Sequence, residues 1–152
     1  FANLPNSLDN VSMKLVTFLT EFFKISISRR SNIISSSALS LKSINGECLG
    51  IAVDITKPLK VKEAIDLVLS KFGRIDILVN NAGVQIEKTI VDTTDRDWEL
   101  LMGVNAKAVF MLCRDCIPIM GKGGSIINIG SIFSFLAAPH APGYAASKGL
   151  QR

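Results

Sequence analysis

The chain has 152 residues, of which 48% are hydrophobic and 20% charged, enough apolar sequence to build the core of one domain. Its net charge of +4 comes from basic residues scattered along the chain, whereas nucleic-acid binding requires a clustered basic face with interleaved aromatics. No apolar run reaches the roughly 18 residues that a membrane-spanning helix needs. We therefore expect a globular protein with neither a nucleic-acid nor a membrane partner.

The first part of the chain carries weak signals for secondary structure. Residues 11–24 (VSMKLVTFLTEFFK) are apolar and predict a helix, and two charged residues interrupt the run too early for a signal peptide. Residues 23–30 (FKISISRR) predict a strand with a basic end, and residues 32–44 predict a helix of mediocre propensity.

From about residue 44 onward, short apolar runs alternate with amphipathic helical patterns. The helix predicted at 57–73 has Pro58 at its start and Gly73 at its end. Strands too apolar to face water indicate a parallel sheet covered by helices on both faces. The further predictions, in chain order, are a strand at 48–54, a strand at 74–80, a long helix at 95–118 capped by Thr94 or Asp95, a loop at 121–124, a strand at 125–131, an irregular loop at 135–143 and a helix from Tyr144 onward.

The three cysteines, an odd number, do not make a disulfide framework. Cys113 and Cys116 form a C-x-x-C pair, but a zinc site needs about four ligands and the other candidates are Cys48 and His140. A redox pair normally stands at the start of a helix, whereas these two lie late in an apolar helical pattern. We interpret them as small core residues, in keeping with a reducing, cytosolic compartment.

Residues that carry chemistry follow the predicted strands in order, at the edge where parallel α/β sheets bind ligands. Asp54 follows the first clear strand, NNAG (80–83) the second and Ser131 the third, and Tyr144 and Lys148 lie four positions apart on the next helix. A lone Y-x-x-x-K is a weak signal, because such pairs occur by chance. The order of the motifs is therefore the informative feature.

This ordered set resembles the classical short-chain dehydrogenase/reductase family over residues 44–152, and back to residue 24 if the basic strand is included. The motifs that carry the resemblance are VDIT (53–56), NNAG (80–83), VN (104–105), Ser131 and Y-A-A-S-K (144–148). It implies an α/β fold, a partial Rossmann-type doubly wound parallel sheet with helices on both faces. It also implies a partial NAD(P)-binding domain over 24–152, truncated at its C-terminus, after an atypical segment over 1–23.

The resemblance implies catalytic roles for Asn105, Ser131, Tyr144 and Lys148. Tyr144 would be the general acid in carbonyl reduction and the base in alcohol oxidation, and its free pKa of about 10 requires a neighbouring cation. Lys148, one helical turn on, would favour the tyrosinate and hold the nicotinamide ribose hydroxyls. Ser131 would hydrogen-bond the substrate oxygen, and Asn105 would complete a water-mediated proton relay behind Lys148.

The resemblance also implies a nicotinamide cofactor. Residues 81–83 resemble the turn beside the adenine ribose, and residues 54 and 55 would flank the adenine ring. The basic pair at 29 and 30, without an acidic residue at that strand end, favours NADP, with NAD as the alternative. The cofactor-binding set is Arg29, Arg30, Asp54, Ile55, Asn81, Ala82, Gly83, Tyr144 and Lys148.

Simpler interpretations of single residues stay open. The paired asparagines of NNAG could form only an Asx turn, and the two arginines could be a solvated basic step. Ser131 could be a cap, with nearby Ser134 as a rival for its role. His140 is interpreted as a loop residue near the substrate entrance. One helix face is interpreted as core or subunit interface: Trp98, Leu101, Val104, Val109 and Leu112.

Two departures from the family pattern limit these expectations. The first glycine of the chain is Gly46, so residues 1–45 contain no T-G-x-x-x-G-x-G loop for the pyrophosphate. The sequence also stops at Arg152, inside the Tyr–Lys helix, and opens with Phe1. We interpret it as a fragment or faulty gene model of a longer enzyme, and expect this chain alone to bind NADP weakly and turn over little.

The implied function is hydride transfer between a nicotinamide cofactor and a carbonyl or secondary alcohol. The chain is similar to 3-oxoacyl-carrier-protein reductases and broad alcohol dehydrogenases, and Phe133, Phe135, Leu136 and Ala138 favour an apolar small-molecule substrate. We expect the full-length form to be a cytoplasmic homo-oligomer. The alternatives are a non-catalytic degenerate homologue that acts as a binding or oligomerisation scaffold, and an epimerase or dehydratase of the extended family.

Overall fold

The computed structural model describes residues 15–18, 49, 51, 53–136 and 139–151, the first of these ranges by its backbone only. The predicted strand at 23–30, which carries Arg29 and Arg30, and the predicted helix at 32–44 lie outside the described residues. The elements in chain order are strand β1 (Leu15–Phe18), helix α1 (Pro58–Phe72), strand β2 (Ile75–Asn80), helix α2 (Asp95–Met102), a π-helical turn (Gly103–Lys107), helix α3 (Ala108–Cys116), a 3-10 turn (Ile117–Ile119), strand β3 (Met120–Asn128), a second 3-10 turn (Ile132–Ser134) and helix α4 (Pro142–Gly149).

The described sheet has three parallel strands in the order β1-β2-β3. In the central strand β2, Ile75 and Leu78 are fully buried, as is typical of parallel strands covered by helices. The predicted strand at 74–80 and the predicted parallel α/β sheet are both confirmed. Because β2 and β3 are parallel and Asn80 is paired with Asn128, their carboxyl ends meet at one edge.

Helix α1 forms where the sequence predicts it, within one residue at each end. Pro58 lies in the first turn, where its missing N–H has no helical partner in any case. Gly73 ends the helix at φ 76°, and its N–H donates to the Leu69 carbonyl over 2.8 Å. Burying an aliphatic side chain stabilises the fold by roughly 1.5–3 kcal/mol, so the inward stripe anchors this helix. The stripe is Val61, Ala64, Ile65 and Val68.

A reciprocal cap starts the next helix at the predicted residue. The Thr94 hydroxyl accepts from the Asp97 N–H over 3.2 Å, and the Asp97 carboxylate accepts from the Thr94 N–H over 3.0 Å. Lys88 donates to the same carboxylate over 2.6 Å, which with the Thr94 bonds holds the pKa of Asp97 far below its usual range. The charge on Asp97 also faces the positive end of the helix dipole.

The long helix predicted at 95–118 is a continuous helical run from residue 95 to residue 119, but its geometry changes in the middle. The turn Gly103–Lys107 is π-helical, and Asn105 lies in it with none of its surface exposed. Trp98, interpreted from the sequence as core or interface, is exposed, whereas Leu101 and Leu112 are fully packed. The inward face of this helix therefore starts after Trp98.

Strand β3 begins earlier than predicted. Residues 121–124 (GKGG), predicted as a loop, belong to the strand that starts at Met120. The pairing with β2 shifts between Ile75 and Ile77, which marks a bulge opposite the glycines. Gly123 adopts φ 88° there, a conformation open to glycine without strain. The glycines therefore bend the strand instead of ending it.

Two other predictions of secondary structure are wrong. Residues 15–18, within the predicted helix at 11–24, form β1, because pairing with β2 overrides the ambiguous pattern of a short apolar run. In the segment 48–54, Leu49, Ile51 and Val53 are described and none is in a strand; they pack against the core instead. An apolar run makes a strand only with a hydrogen-bonded neighbour, which the run itself does not supply.

Helix α4 begins at Pro142, two residues before the predicted start at Tyr144, so the irregular loop predicted at 135–143 is shorter. Proline is well suited to a first helical turn. The division of the chain at residue 24 stays a prediction, although β1 of the sheet lies before it. Among the helices in the described ranges, none is long and apolar enough to cross a membrane.

Candidate active site

The candidate site lies at the carboxyl ends of β2 and β3, which a pair of asparagines joins. The Nδ2 atom of Asn80 donates to Oδ1 of Asn128 over 2.8 Å. The Ile129 N–H donates to the Asn80 carbonyl over 2.9 Å and extends the strand ladder past β3. Asn80 is thus a buried link between strands, and the next residue, Asn81, is exposed at the edge.

Asn105 connects this edge to two helices. Its Oδ1 accepts from the Val84 N–H over 2.8 Å, and its Nδ2 donates to the Val84 carbonyl over 2.9 Å and to Oγ of Ser147 over 2.8 Å. The Ser147 hydroxyl donates in turn to the Tyr144 carbonyl over 2.8 Å. The amide of Asn105 is therefore fully engaged with protein groups, and it fastens the turn after β2 to α4. Such π-helical turns are frequent at functional sites.

Lys148 is only 4% exposed. Its Nζ donates to the Ile129 carbonyl over 2.7 Å and to Oε1 of Gln151 over 3.0 Å. Burial lowers the pKa of Lys148, because removal from water disfavours the charged ammonium. A lysine is rarely buried to this extent, and such groups are concentrated at functional sites.

Gly83 brings the NNAG turn directly onto these two residues. A Cβ atom added at Gly83 would lie 3.5 Å from Oδ1 of Asn105 and 3.7 Å from Nζ of Lys148. These are ordinary contact distances, so the turn packs over both side chains. The three motifs NNAG, VN and Y-A-A-S-K, which lie far apart in the sequence, therefore form one site.

The two serines after β3 have different partners. The Ser131 hydroxyl accepts from the Phe133 N–H over 3.2 Å and caps the second 3-10 turn. Ser134 is buried, and its hydroxyl donates to the Lys148 carbonyl over 3.0 Å. This hydrogen bond attaches the second 3-10 turn to helix α4, so the Ser134 proton is already in use. Ser131 is half-buried, and its hydroxyl donates to no group among the described residues, which leaves its proton free for a ligand.

Tyr144 is half-buried on the first turn of α4. The Phe133 ring meets the Tyr144 ring edge-on, with 6.2 Å between the ring centroids and 86° between the planes. Because Phe133 also donates to the Ser131 hydroxyl, it connects the serine and the tyrosine. The structure thus brings together all four residues for which the sequence implied catalytic roles.

The residues expected at the adenine end differ in exposure. Asp54 is exposed, and its Oδ1 accepts from the Thr56 hydroxyl over 2.6 Å and from the Thr56 N–H over 3.0 Å, which lowers the pKa of Asp54. The Ile55 side chain is 3% exposed and packs in the core. Ala82 is also buried. Of the residues expected at the adenine end, Asp54 and Asn81 are the exposed ones.

The C-x-x-C pair packs on the inside of α3. Cys116 has none of its surface exposed, and burial raises its pKa to about 11. Cys113 is half-buried and receives a contact from Nδ2 of Asn80 at 3.4 Å. Across the described part of the chain, no three His, Cys, Asp or Glu side chains are grouped so as to hold a metal ion. Both thiols therefore serve as small packing residues in this structure.

Sequence reasoning missed two residues of the site, Ser147 and Gln151. Ser147 joins Asn105 to the Tyr144 carbonyl, and Gln151 contacts Lys148. Ser147 lies inside the Y-A-A-S-K motif, and a polar residue on the buried side of a helix was the available signal. Gln151 lies three positions after Lys148, a spacing at which helical side chains are neighbours.

The chain is similar to proteins of one family. A model described as short chain dehydrogenase matches residues 16–150, which extends further back than the resemblance seen in the sequence. The 3-oxoacyl-[acyl-carrier-protein] reductase FabG of Buchnera aphidicola is 34% identical over 109 residues, covering 70% of this chain and 44% of that protein. A cyclopentanol dehydrogenase of Comamonas testosteroni is 36% identical over 109 residues, with the same coverage. The chain thus spans less than half the length of these relatives.

Solved structures show the same likeness. A blue fluorescent protein from a metagenomic library, in complex with NADPH, matches with a TM-score of 0.77 at 29% identity, over 90% of this chain and 53% of that one. A short chain dehydrogenase/reductase from Burkholderia phymatum, in complex with NAD, matches with a TM-score of 0.75 at 27% identity, over 80% of this chain and 44% of that one. The predicted partial Rossmann-type fold is confirmed, and the chain belongs to the short-chain dehydrogenase family.

Proposed function

We propose that the protein is an NAD(P)(H)-dependent oxidoreductase that transfers a hydride between a nicotinamide cofactor and a carbonyl or secondary alcohol. The observation that carries this proposal is the buried ammonium of Lys148, one helical turn from Tyr144 and beneath the Gly83 turn. A cation in that place is what a phenol needs in order to exchange a proton near neutral pH.

Tyr144 and Lys148 are the proposed proton-transfer pair. In carbonyl reduction the phenol gives its proton to the substrate oxygen, and in alcohol oxidation the phenolate takes it back. Lys148 is proposed as the cationic partner of Tyr144 because it lies one helical turn further along the same helix, where side chains four positions apart are neighbours.

Ser131 is the proposed donor to the substrate oxygen. Its hydroxyl oxygen is held by the Phe133 N–H, so the O–H can rotate toward a ligand without losing that bond. A fixed donor aimed at a developing oxyanion lowers the barrier, because it requires little reorganisation during the reaction.

Asn105 is proposed to position the site by its side chain. Both of its amide atoms are already bonded to Val84 and Ser147, so the side chain has no free group to carry a proton. The main-chain carbonyl of Asn105 accepts a hydrogen bond from the Gln151 side chain, which in turn accepts one from Lys148. A proton relay through residue 105, implied by the family resemblance, would have to use that carbonyl.

The residues fit a nicotinamide cofactor at the Lys148 end of the site. Lys148 has three N–H donors, two of them bonded to neutral carbonyl-type oxygens, so one is left for a ribose hydroxyl. When bound, the cofactor supplies or accepts the hydride. Residues 81–83 and Asp54 would lie along its adenine side. Residues 1–45 contain no glycine-rich loop for the pyrophosphate, so we expect weak binding by this chain.

The finer features of the proposal concern the cofactor, the substrate and the assembly. Arg29 and Arg30 favour NADP over NAD, and the relatives named above suggest a 3-oxoacyl or cyclic-alcohol type of substrate. The exposed Phe135 and Leu136 after β3 favour an apolar one. A cytoplasmic homo-oligomer is the proposed full-length form. The competing function is a scaffold that retains the family's surfaces and binds no cofactor.

Calorimetric titration with NADPH, followed by NADPH-dependent reduction of a small ketone, tests the proposal. We expect weak but saturable heat and slow turnover, and we expect Tyr144→Phe to reduce the turnover by about 10²- to 10⁴-fold because it removes the acid/base group. Lys148→Met should behave similarly, whereas Lys122→Met, at an exposed lysine of β3, should not. A folded chain that gives no saturable heat would favour the scaffold.

A further inference from the structure

The side chain of Gln151 forms a bridge inside the candidate site. Its Oε1 accepts from Nζ of Lys148 over 3.0 Å, and its Nε2 donates to the main-chain carbonyl of Asn105. Gln151 is half-buried just after α4, and its own N–H donates to the Lys148 carbonyl over 3.1 Å. One residue therefore joins the buried ammonium to the π-helical turn.

The chemistry of the two partners determines which way the amide points. A lysine ammonium can only donate and a carbonyl can only accept, so exactly one orientation of the Gln151 amide satisfies both. In the opposite orientation, an N–H would face the ammonium and an oxygen would face a carbonyl. The Gln151 amide therefore keeps one orientation, with its oxygen toward Lys148 and its N–H toward Asn105, as long as Lys148 is charged.

The bridge fixes the ammonium at a defined place. With the Ile129 carbonyl on one side and Gln151 on the other, two of the three N–H groups of Lys148 have set directions. The third is then directed as well, because the ammonium is tetrahedral. An amide neither gains nor loses a proton near neutral pH, so Gln151 orients the lysine and transfers no proton.

The charged groups on the elements around this ammonium are exposed or bonded to other residues. Tyr144 is the titratable group on its own helix, one turn earlier. On the elements packed against it, Lys107 of the π-helical turn is exposed, and Lys122 is exposed at the opposite end of β3. Helix α2 also packs against α4; its Asp95, Arg96 and Glu99 are exposed, and its Asp97 is paired with Lys88. Asp54 is exposed and bonded to Thr56. The group that touches the ammonium is the neutral Gln151 amide oxygen, and a hydrogen bond to the charged form favours that form.

We propose that Gln151 is a positioning residue for Lys148, which holds the ammonium between the Ile129 carbonyl and the π-helical turn so that its remaining N–H faces the cofactor site. The bridge itself stands on geometry alone, and its use in catalysis rests on the proposed function. If Gln151 served only as a polar residue after the end of α4, its side chain would have no need to contact Lys148.

The test compares Gln151→Leu and Gln151→Glu with the unmodified chain. Lysine 13Cε and 15Nζ resonances, followed through an alkaline titration by NMR, report the protonation of Lys148 without any cofactor. We expect the titration midpoint of Lys148 to fall in the leucine variant, because a neutral acceptor that favours the charged form is lost. It should rise in the glutamate variant, because an anionic acceptor replaces a neutral one.

Gln85→Leu is the matched control, because Gln85 is an exposed glutamine that bonds Glu87. It should leave the Lys148 midpoint unchanged. A folded Gln151→Leu chain whose Lys148 titrates like the parent overturns the proposal. If that variant does not fold, the glutamate variant decides, and an unchanged midpoint there has the same meaning.

A kinetic measurement separates this proposal from the proposed function. If the parent chain reduces ketones with NADPH, Gln151→Leu should lower kcat about tenfold and shift the acid/base limb of the pH profile, with the fold retained. If the parent shows no turnover, the proposed function fails for this chain, and the NMR titration still decides whether Gln151 positions Lys148.

Discussion

At the scale of single residues, Asn105 is a polar side chain that is buried in the core with its amide hydrogen-bonded to protein groups. Its three amide hydrogen bonds connect Val84 and Ser147, and none of its surface is exposed. A buried amide is tolerated when its donors and acceptors are paired, and removing it leaves the partners unpaired. Asparagine is a poor former of regular helices, and here it lies in the π-helical turn.

Truncating the Asn105 side chain should therefore destabilise the protein. We expect Asn105→Ala to lower the free energy of unfolding by about 2–4 kcal/mol, since the Val84 N–H and carbonyl lose their partner in a buried place. Ser147→Ala should lower it by about 1 kcal/mol, and the double variant should lose less than the sum. Urea unfolding followed by circular dichroism measures all three.

Asn81→Ala is the matched control, an exposed asparagine at the same edge, and should change the free energy of unfolding by less than about 0.5 kcal/mol. Equal effects at residues 81 and 105 would contradict the assigned network.

The order of the motifs along the chain was enough to predict Tyr144, Lys148 and Ser131 as residues of the candidate site. The partners of Asn105 could not be predicted, because they come from three separate elements.

At the scale of elements, the glycines divide by conformation. Gly73 ends α1 at φ 76°, whereas Gly149 is the last residue of α4 and is not among the described glycines with positive φ. Apart from its chain neighbours and the backbone of its own helix, a Cβ added at either position would meet nothing within 4 Å. Space is therefore not the difference between them, and the backbone conformation alone should decide what alanine does at each.

We expect opposite effects from the same substitution at these two glycines. Gly73→Ala should lower the free energy of unfolding by about 1–2 kcal/mol, because an L side chain is strained at positive φ. Gly149→Ala should raise it by about 0.5–1 kcal/mol, because alanine restricts the unfolded chain and favours a helix. Thermal and urea unfolding measure both changes. A stabilised Gly73→Ala variant would mean that α1 does not end in this conformation.

The bounds of elements could be predicted where a local signal sets them. Pro58, Gly73 and the Thr94 cap act within a few residues, and the predicted ends of those helices are correct or nearly so. The GKGG segment misled the prediction, because a glycine run looks the same in a loop and in a bulged strand. Only the pairing with β2 distinguishes the two.

At the scale of the whole molecule, α1 and α3 pack together against the central strand β2. Cys116 lies in this core, fully buried, and burial raises its pKa to about 11, whereas Cys113 on the same helix is half-buried. Since the thiolate is the reactive form, both the raised pKa and the lack of access slow the reaction of Cys116 with alkylating reagents. Its labelling therefore reports opening of the core.

We expect iodoacetamide to label Cys116 at least about tenfold more slowly than Cys113 in the folded protein, and at a similar rate in 8 M urea. Peptide mass spectrometry after timed quenching distinguishes the two sites. A Cys113→Ser variant serves as control, because it shows whether the first alkylation opens the core to the second. Equal rates in the native protein would indicate that the core opens freely.

The sequence by itself determined the family motifs, the helices with clear caps, the central strand and four residues of the candidate site. Each of these features depends on a short segment of sequence, in which the hydrophobic periodicity, the helix caps and the spacing of motifs can be recognised. Only the tertiary structure decided that residues 15–18 form a strand, that the π-helical turn holds Asn105, and that Gln151 bridges Lys148 to it. Each of these depends on partners distant in sequence, since a hydrogen bond is set by which groups meet in space.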